Sequence, residues 1–306
     1  MQIVQDTLAN LEFGPQVSVE NLSMIPLVRA PNGLPRYLTL DEAISDGVAE
    51  VTEISEAGSV PELQFLNKGD RPILLLDGEE LIGAKQNRVL NLSILAPAAK
   101  AIHIPVSCVE AGRWSRRSEK FGSTPRAQYA AGRARKMAQV SESLRTSEMR
   151  SSDQSEVWSD IDAKMGRLGA DSPTASMSDM YDSYSDRLDS YVEGVKSIEG
   201  QVGAVFAING KVVGLELFDH ADTLRKLLPK IVRSYALDAI DVAVPQAVAP
   251  ALEDAQSLLD ECAAAPADRF DAIGEGEDLR LRGVDLTGAG LVVDGQIVHF
   301  CGFRIL

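Results

Sequence analysis

Residues 74–114, LLLDGEELIGAKQNRVLNLSILAPAAKAIHIPVSCVEAGRW, decide how this chain is read. Apolar runs of strand length recur in it, interrupted by polar residues where a plain core would exclude them. Alternate residues of a strand share one face. From Ile82 one row therefore reads Ile82, Ala84, Gln86, Arg88, Leu90, Leu92 and Ile94. A second row holds Ile102, Ile104, Val106, Cys108 and Glu110, with Arg113 and Trp114 directly after it. A buried arginine costs several kcal/mol unless it is paired. Arg88 thus calls for a carboxylate or an anionic ligand, and Glu110 at the end of the neighbouring row is the expected partner. Arg113 is then left to meet an anion from solvent, with Gln86 orienting it and Trp114 walling the pocket. The alternative is that Gly83 seeds a bulge or turn, which shifts the phase and puts Gln86 or Arg88 in water. Glu79 and Glu80, just after Asp77-Gly78, could equally be solvated turn residues.

With 306 residues, 45% of them hydrophobic, the chain can bury a substantial core. We expect a single α+β domain over 1–306, with no membrane span. The N-terminus MQIVQDTLANLEF carries no basic and then apolar export signal. Cys108, Cys262 and Cys301 are odd in number and far apart, which fits a reducing cytoplasm better than a disulfide framework. The net charge is −15, yet Arg113–Arg150 carries ten Lys or Arg against three Asp or Glu. An acidic body disfavours duplex DNA. A basic mouth built from Arg113, Arg116, Arg117, Lys120, Arg126 and Arg133 is expected at the end of the strands, suited to a small phosphorylated ligand or a short stretch of RNA.

Residues 1–60 read as strands and turns, with a break at Pro31-Asn32-Gly33-Leu34-Pro35 and a short helix capped by Thr39 and stopped at Gly47. VAEVTEI alternates as a strand. Asp77-Gly78, Asn209-Gly210 and Asp294-Gly295 each sit between apolar runs, the pattern of a two-residue hairpin. Residues 115–200 form a polar insert that reads as three helices, over Arg126–Met149, SEVWSDIDAKMGRLG and MSDMYDSYSDRLDSYVEGVKSI. The last has Met177, Tyr181, Tyr184, Leu188, Tyr191 and Val195 on one stripe, a core face rather than a ligand box. ADTLRKLLPKIVRSYALDAI is helical, with Pro229 either kinking it or starting a second helix, VPQAVAP is linker-like, and APALEDAQSLLDECAAA is a further helix. Strands and helices do not alternate as βαβ units. The fold expected is α+β, mainly antiparallel sheet built from hairpins, with a helical insert and C-terminal helices.

The motifs exclude more than they assign. No GxxxxGK[ST] occurs, and no GxGxxG stands between a strand and a helix. His299 reads as a core or edge histidine. Glu216, Asp219 and His220 form E-x-x-D-H, which could make a metal corner, although an N-cap role for Asp219 or Asp222 fits better; no metal set and no cofactor is assigned. Cys108 lacks a same-face histidine and reads as a structural thiol. Glu110 could meet Glu79 or Glu216 as an acid–base pair.

The runs LDGEELIGAKQNRVLN, IPVSCVEAGRW, QSEVW and GLELF, in that order, resemble the bacterial family called the ADP-ribosylglycohydrolase and rhodanese-phosphatase associated protein domain. The likeness covers roughly 10–240. It implies a setting of ADP-ribose or nucleotide chemistry, without a settled activity. On the matching positions it implies Glu79, Lys85, Gln86, Asn87, Arg88, Asn91, Cys108, Glu110, Arg113, Trp114, Gln154, Trp158 and Glu216 as site residues. Three functions follow as expectations. The first is a binding or accessory protein for a small phosphorylated ligand such as a nucleotide or ADP-ribose derivative, with Arg88, Arg113 and Lys85 on phosphate and Trp114 or Trp158 on a base. The second is a hydrolase using Glu110 or Glu79 on a glycosidic or phosphoester bond. The third is a partner protein docking through the helical insert.

Overall fold

A computed structural model describes residues 2–30, 33–55, 61–242 and 248–305. In chain order it contains α1 (Gln2–Ala9), β1 (Glu12–Phe13), β2 (Val17–Val19), β3 (Leu22–Val28), β4 (Leu38–Thr39) and α2 (Leu40–Ser45). Next come β5 (Ala49–Glu53), β6 (Glu62–Asn67), β7 (Ile73–Leu75), β8 (Glu79–Gly83), β9 (Arg88–Leu90), β10 (Ile94–Ala96), β11 (Ala101–Cys108) and β12 (Lys120–Ala127). Four helices follow, α3 (Ala130–Ser147), α4 (Gln154–Leu168), α5 (Met177–Ser183) and α6 (Ser185–Gly194). The chain ends with β13 (Gln201–Ile208), β14 (Lys211–Phe218), α7 (Ala221–Asp241), α8 (Leu252–Ala264), β15 (Ala267–Asp271), β16 (Glu277–Arg282), β17 (Leu286–Val293) and β18 (Gln296–Arg304). This is a mixed α+β fold with mostly antiparallel sheet. No helix among the described residues is long and apolar enough to cross a membrane.

The strands sort into three sheets. A closed barrel runs β11-β6-β5-β12-β8-β9, a three-stranded sheet runs β10-β7-β4, and a nine-stranded sheet runs β1-β3-β13-β14-β18-β17-β16-β15 with β2 on β3. Alternate residues fill the barrel: Val51, Leu63, Phe65, Leu81, Leu90, Ile104, Val106 and Phe121 belong to one buried cluster. The large sheet is buried on both faces. Ala204 and Phe206 pack with α3 and α7, whereas Val205 and Ala207 pack with α1 and α8.

Local signals explain several elements. Thr39 and Glu42 form a reciprocal capping box on α2, and Gly47 follows at φ 71°. Asp153 caps α4, and Gly169 ends it in the left-handed region. Asn209-Gly210 and Asp294-Gly295 have positive φ at both residues and close two-residue hairpins, pairing Ile208 with Lys211 and Val293 with Gln296.

Four expectations are corrected. Asp77-Gly78 is a turn, with Glu79 N–H donating to Leu76 O at 3.1 Å, but not a hairpin. Its flanking strands part: β7 pairs with β10 and β4, and β8 pairs with β12 and β9. Gln2–Ala9 is a helix burying Val4 and Leu8, where strands and turns were expected. The third helix of the 115–200 segment breaks at Tyr184 into α5 and α6. That segment is also not an insert throughout, because β12 completes the barrel between β5 and β8. Pro229 starts no second helix, since α7 runs through it from Ala221 to Asp241. Pro31 and Asn32 of the first break, and most of VPQAVAP, lie outside the described residues.

Candidate functional site

The polar residues of the opening stretch gather at one end of the barrel. β8 stops at Gly83, which has φ 129°, and Ala84 follows at φ 36°. A Cβ on Gly83 would lie 2.5 Å from Ser118 Oγ and 2.7 Å from Lys120 O, so β12's approach requires glycine there. The turn resets the strand phase: Ile82 is partly exposed, while Arg88, Val89 and Leu90 of β9 are all buried. Neither form of the alternation argument holds as stated. Ile82 and Arg88 share no continuous row, yet Gln86 and Arg88 are both buried, Arg88 completely.

Gln86 joins the cluster together. Its Oε1 accepts from Arg88 Nη1 at 2.9 Å and from the Cys108 thiol at 3.1 Å, and its Nε2 donates to Glu110 O at 3.0 Å. Arg88 pairs across the barrel wall with Cys108. Its Nε and Nη2 find no hydrogen-bond partner. Burial lowers the proton affinity of Arg88, while Cys108 and Glu53 act in the opposite sense. Glu53, the last residue of β5, is buried with both carboxylate oxygens unpartnered. Over this end lies Trp114, half exposed, its ring centroid 5.4 Å from Lys85 Nζ and 5.9 Å from the Arg88 guanidinium carbon.

Glu110 does not pair with Arg88. Its carboxylate meets Arg113 Nη2 at 2.7 Å and accepts from Asn87 N–H at 3.1 Å and Thr174 Oγ1 at 3.0 Å. Burial pushes the Glu110 carboxyl up, but Arg113, Asn87 and Thr174 outweigh it and hold it below the usual glutamate range. Arg113 is correspondingly buried. It donates to Ala84 O, Ser115 O, Gly83 O and Asn87 Oδ1, pinning the turn after β8. The expected assignment is thus reversed: Arg113 is the internal counter-ion, and Arg88 is the cation with free donors. The reason is local, since Glu110 and Arg113 meet across a three-residue turn while Arg88 is held by Gln86.

The model of the ARG and Rhodanese-Phosphatase-superfamily-associated Protein domain matches residues 10–303. The chain belongs to that family. No curated protein and no solved structure matches it. The family match extends past the 10–240 expected and takes in every strand of the large sheet, ending one residue short of the end of β18.

Of the positions implied by the family likeness, one group belongs to the barrel end. Gln154 acts as a surrogate strand partner for Cys108, accepting from its N–H at 2.8 Å and donating to its carbonyl at 2.8 Å. Trp158 turns its indole N–H toward the Cys108 sulfur without another acceptor. Burial still raises the Cys108 thiol above its ordinary range, so it is a poor nucleophile in this state. Asn87 links Arg113 to Ser178, which donates to Glu80 at 2.7 Å. Asn91 accepts from Ser107 at 2.6 Å on the barrel's outer side.

Glu79 and Glu216 are elsewhere. Glu79 begins β8, four residues and roughly 13 Å of strand from Gly83, and its carboxylate meets Lys230 at 2.6 Å. Burial raises its pKa. Glu79 and Glu80 are buried rather than solvated, each beside a cation, Lys230 or Arg126. Glu216 receives Arg133 at 2.6 Å within the large sheet. An acid–base pair of Glu110 with either residue is not assembled. In the E-x-x-D-H corner Asp219 lies 3.6 Å from His220 and hydrogen-bonds Tyr37, while Glu216 is taken by Arg133; neither Asp219 nor Asp222 caps α7, which has no side-chain cap. Glu216, His299 and Cys301 do place ligand atoms within 4.8 Å of one another. The Arg133 guanidinium already neutralises Glu216 there, which disfavours a cation.

The basic segment is largely consumed by ion pairs, most of them buried. Arg113 serves Glu110, Arg126 serves Glu80, Arg133 serves Asp77 and Glu216, Lys136 serves Asp77, and Lys120 serves Glu50. Arg116 and Arg117 are exposed near Trp114 in the chain, Arg117 reaching Glu110 at 3.8 Å from the solvent side, so the basic mouth is narrower than the sequence suggested. Glu53 escaped the sequence reading, although VAEVTEI places it in the row of Val51; that row was the available signal.

Proposed function

We propose that the Arg88 end of the barrel binds a small phosphorylated ligand of the nucleotide or ADP-ribose kind. The observation that carries this reading is the guanidinium of Arg88, which is fully buried with Nε and Nη2 unpartnered beneath the half-exposed Trp114. Buried donors without acceptors are rare and cost about 1–3 kcal/mol each. A ligand that supplies acceptors recovers that cost. Trp114 offers a ring face for a base, and Arg116 and Arg117 on the same exposed loop offer charge to phosphate. Hydrolysis through Glu110 or Glu79 has less support, because Glu110 is ionised and fully engaged, and Glu79 lies at the other end of β8. The test is thermal unfolding with AMP, ADP, ADP-ribose and inorganic phosphate. A ligand that binds the native state raises the midpoint, and Arg88→Met should abolish the rise. No shift with any of the four would refute the reading.

A further inference from the structure

Glu53 faces the same end of the barrel as Arg88, since β5 ends beside β6 and β12 at the edge where β9 begins and β11 ends. It is 9% exposed, and neither carboxylate oxygen has a hydrogen-bond partner. Its charge raises the proton affinity of Arg88, yet among the described residues no ion pair within 4.0 Å joins the two. A buried carboxylate and a buried guanidinium therefore share that end, Glu53 with both oxygens and Arg88 with Nε and Nη2 unpartnered, Arg88 Nη1 being held by Gln86. A group that satisfies both must donate to Glu53 and accept from Arg88.

A phosphate meets half of that requirement, because it has nothing to donate when fully ionised and is repelled by Glu53. A hydroxyl meets both halves, being donor and acceptor at once. Two free carboxylate oxygens on one side and two free guanidinium nitrogens on the other match two adjacent hydroxyls. Resting on the ligand reading above, we infer that Glu53 and Arg88 bind the vicinal diol of a ribose, while the phosphate stays at the rim with Arg116 and Arg117. The slot then requires a ribonucleotide. A deoxy analogue leaves Glu53 and Arg88 buried and unpaired, and sites built to hydrogen-bond a hydroxyl reject analogues that lack it.

Calorimetric titration of the full chain with AMP, 2′-deoxy-AMP and inorganic phosphate tests the inference. AMP should bind at least tenfold more tightly than 2′-deoxy-AMP, and phosphate alone more weakly than AMP. Glu53→Gln, which keeps size and shape, should reduce the ratio between the two nucleotides toward one. Equal affinities of wild-type protein for the two nucleotides would overturn the diol assignment and leave the ligand reading standing. Phosphate binding as tightly as AMP would also overturn it. Absence of binding by all three would overturn both. The wild-type comparison decides the matter even where Glu53→Gln fails to fold.

Discussion

Glu110 and Arg113 form a buried ion pair at 2.7 Å, three residues apart, and that pair ties β11 to the turn after β8. Removing one partner strands the other in a site that excludes water. Arg113→Ala should therefore destabilise the protein by about 3–5 kcal/mol, with further loss from the carbonyls of Gly83 and Ala84. Urea unfolding monitored by tryptophan fluorescence measures this; a loss under about 1 kcal/mol would place Arg113 outside the structural core.

Stability should fall in acid, with a contribution from Glu110. Its folded pKa lies below the ordinary unfolded value of about 4.3. The stability it supplies is thus fully present above the unfolded pKa and is lost as pH falls through the folded one. Asp77 and Glu216 are also held low, because Lys136 and Arg133 outweigh their burial, and they steepen the same limb. Glu110→Gln should be less stable than wild type at neutral pH, with the gap narrowing toward pH 3. A gap that is constant with pH would show that Glu110 titrates alike in both states.

Trp114 is half exposed, and its ring rests on Lys85 and Arg88. Trp114→Ala should cost no more than about 1 kcal/mol of stability, the worth of an exposed cation–π contact, while the thermal shift with AMP disappears. Unchanged AMP binding by this variant would remove Trp114 from the site.

Cys108 is buried and its thiol is pushed up by burial. Native protein at pH 7 should resist alkylation at Cys108 by iodoacetamide and become labelled in urea, as followed by peptide mass spectrometry. Rapid labelling in the native state would indicate an accessible thiolate and revive a nucleophilic role.

Two hairpins were legible because their cause is local. Asn209-Gly210 and Asp294-Gly295 accept positive φ at both central residues, and the strands on either side have no stronger partner nearer to hand. The Thr39 cap was legible for the same reason, since its hydrogen bonds join residues three apart. Sequence also identified Gln86, Arg88 and Glu110 as polar residues that a core must compensate, because burial of charge has a fixed cost wherever it occurs.

Pairing over distance was decided by the tertiary structure alone. Asp77-Gly78 has the same dipeptide signal, but β7 and β8 go to different sheets. Closure of the barrel by β12, from some forty residues downstream, governs that choice. The same closure demands the turn at Gly83, which ends the alternation from Ile82 and frees Glu110 to meet Arg113 instead of Arg88. Residue type determined that charges had to be neutralised. Which charge neutralises which depends on where the chain returns, and alternation along one strand carries no information about that.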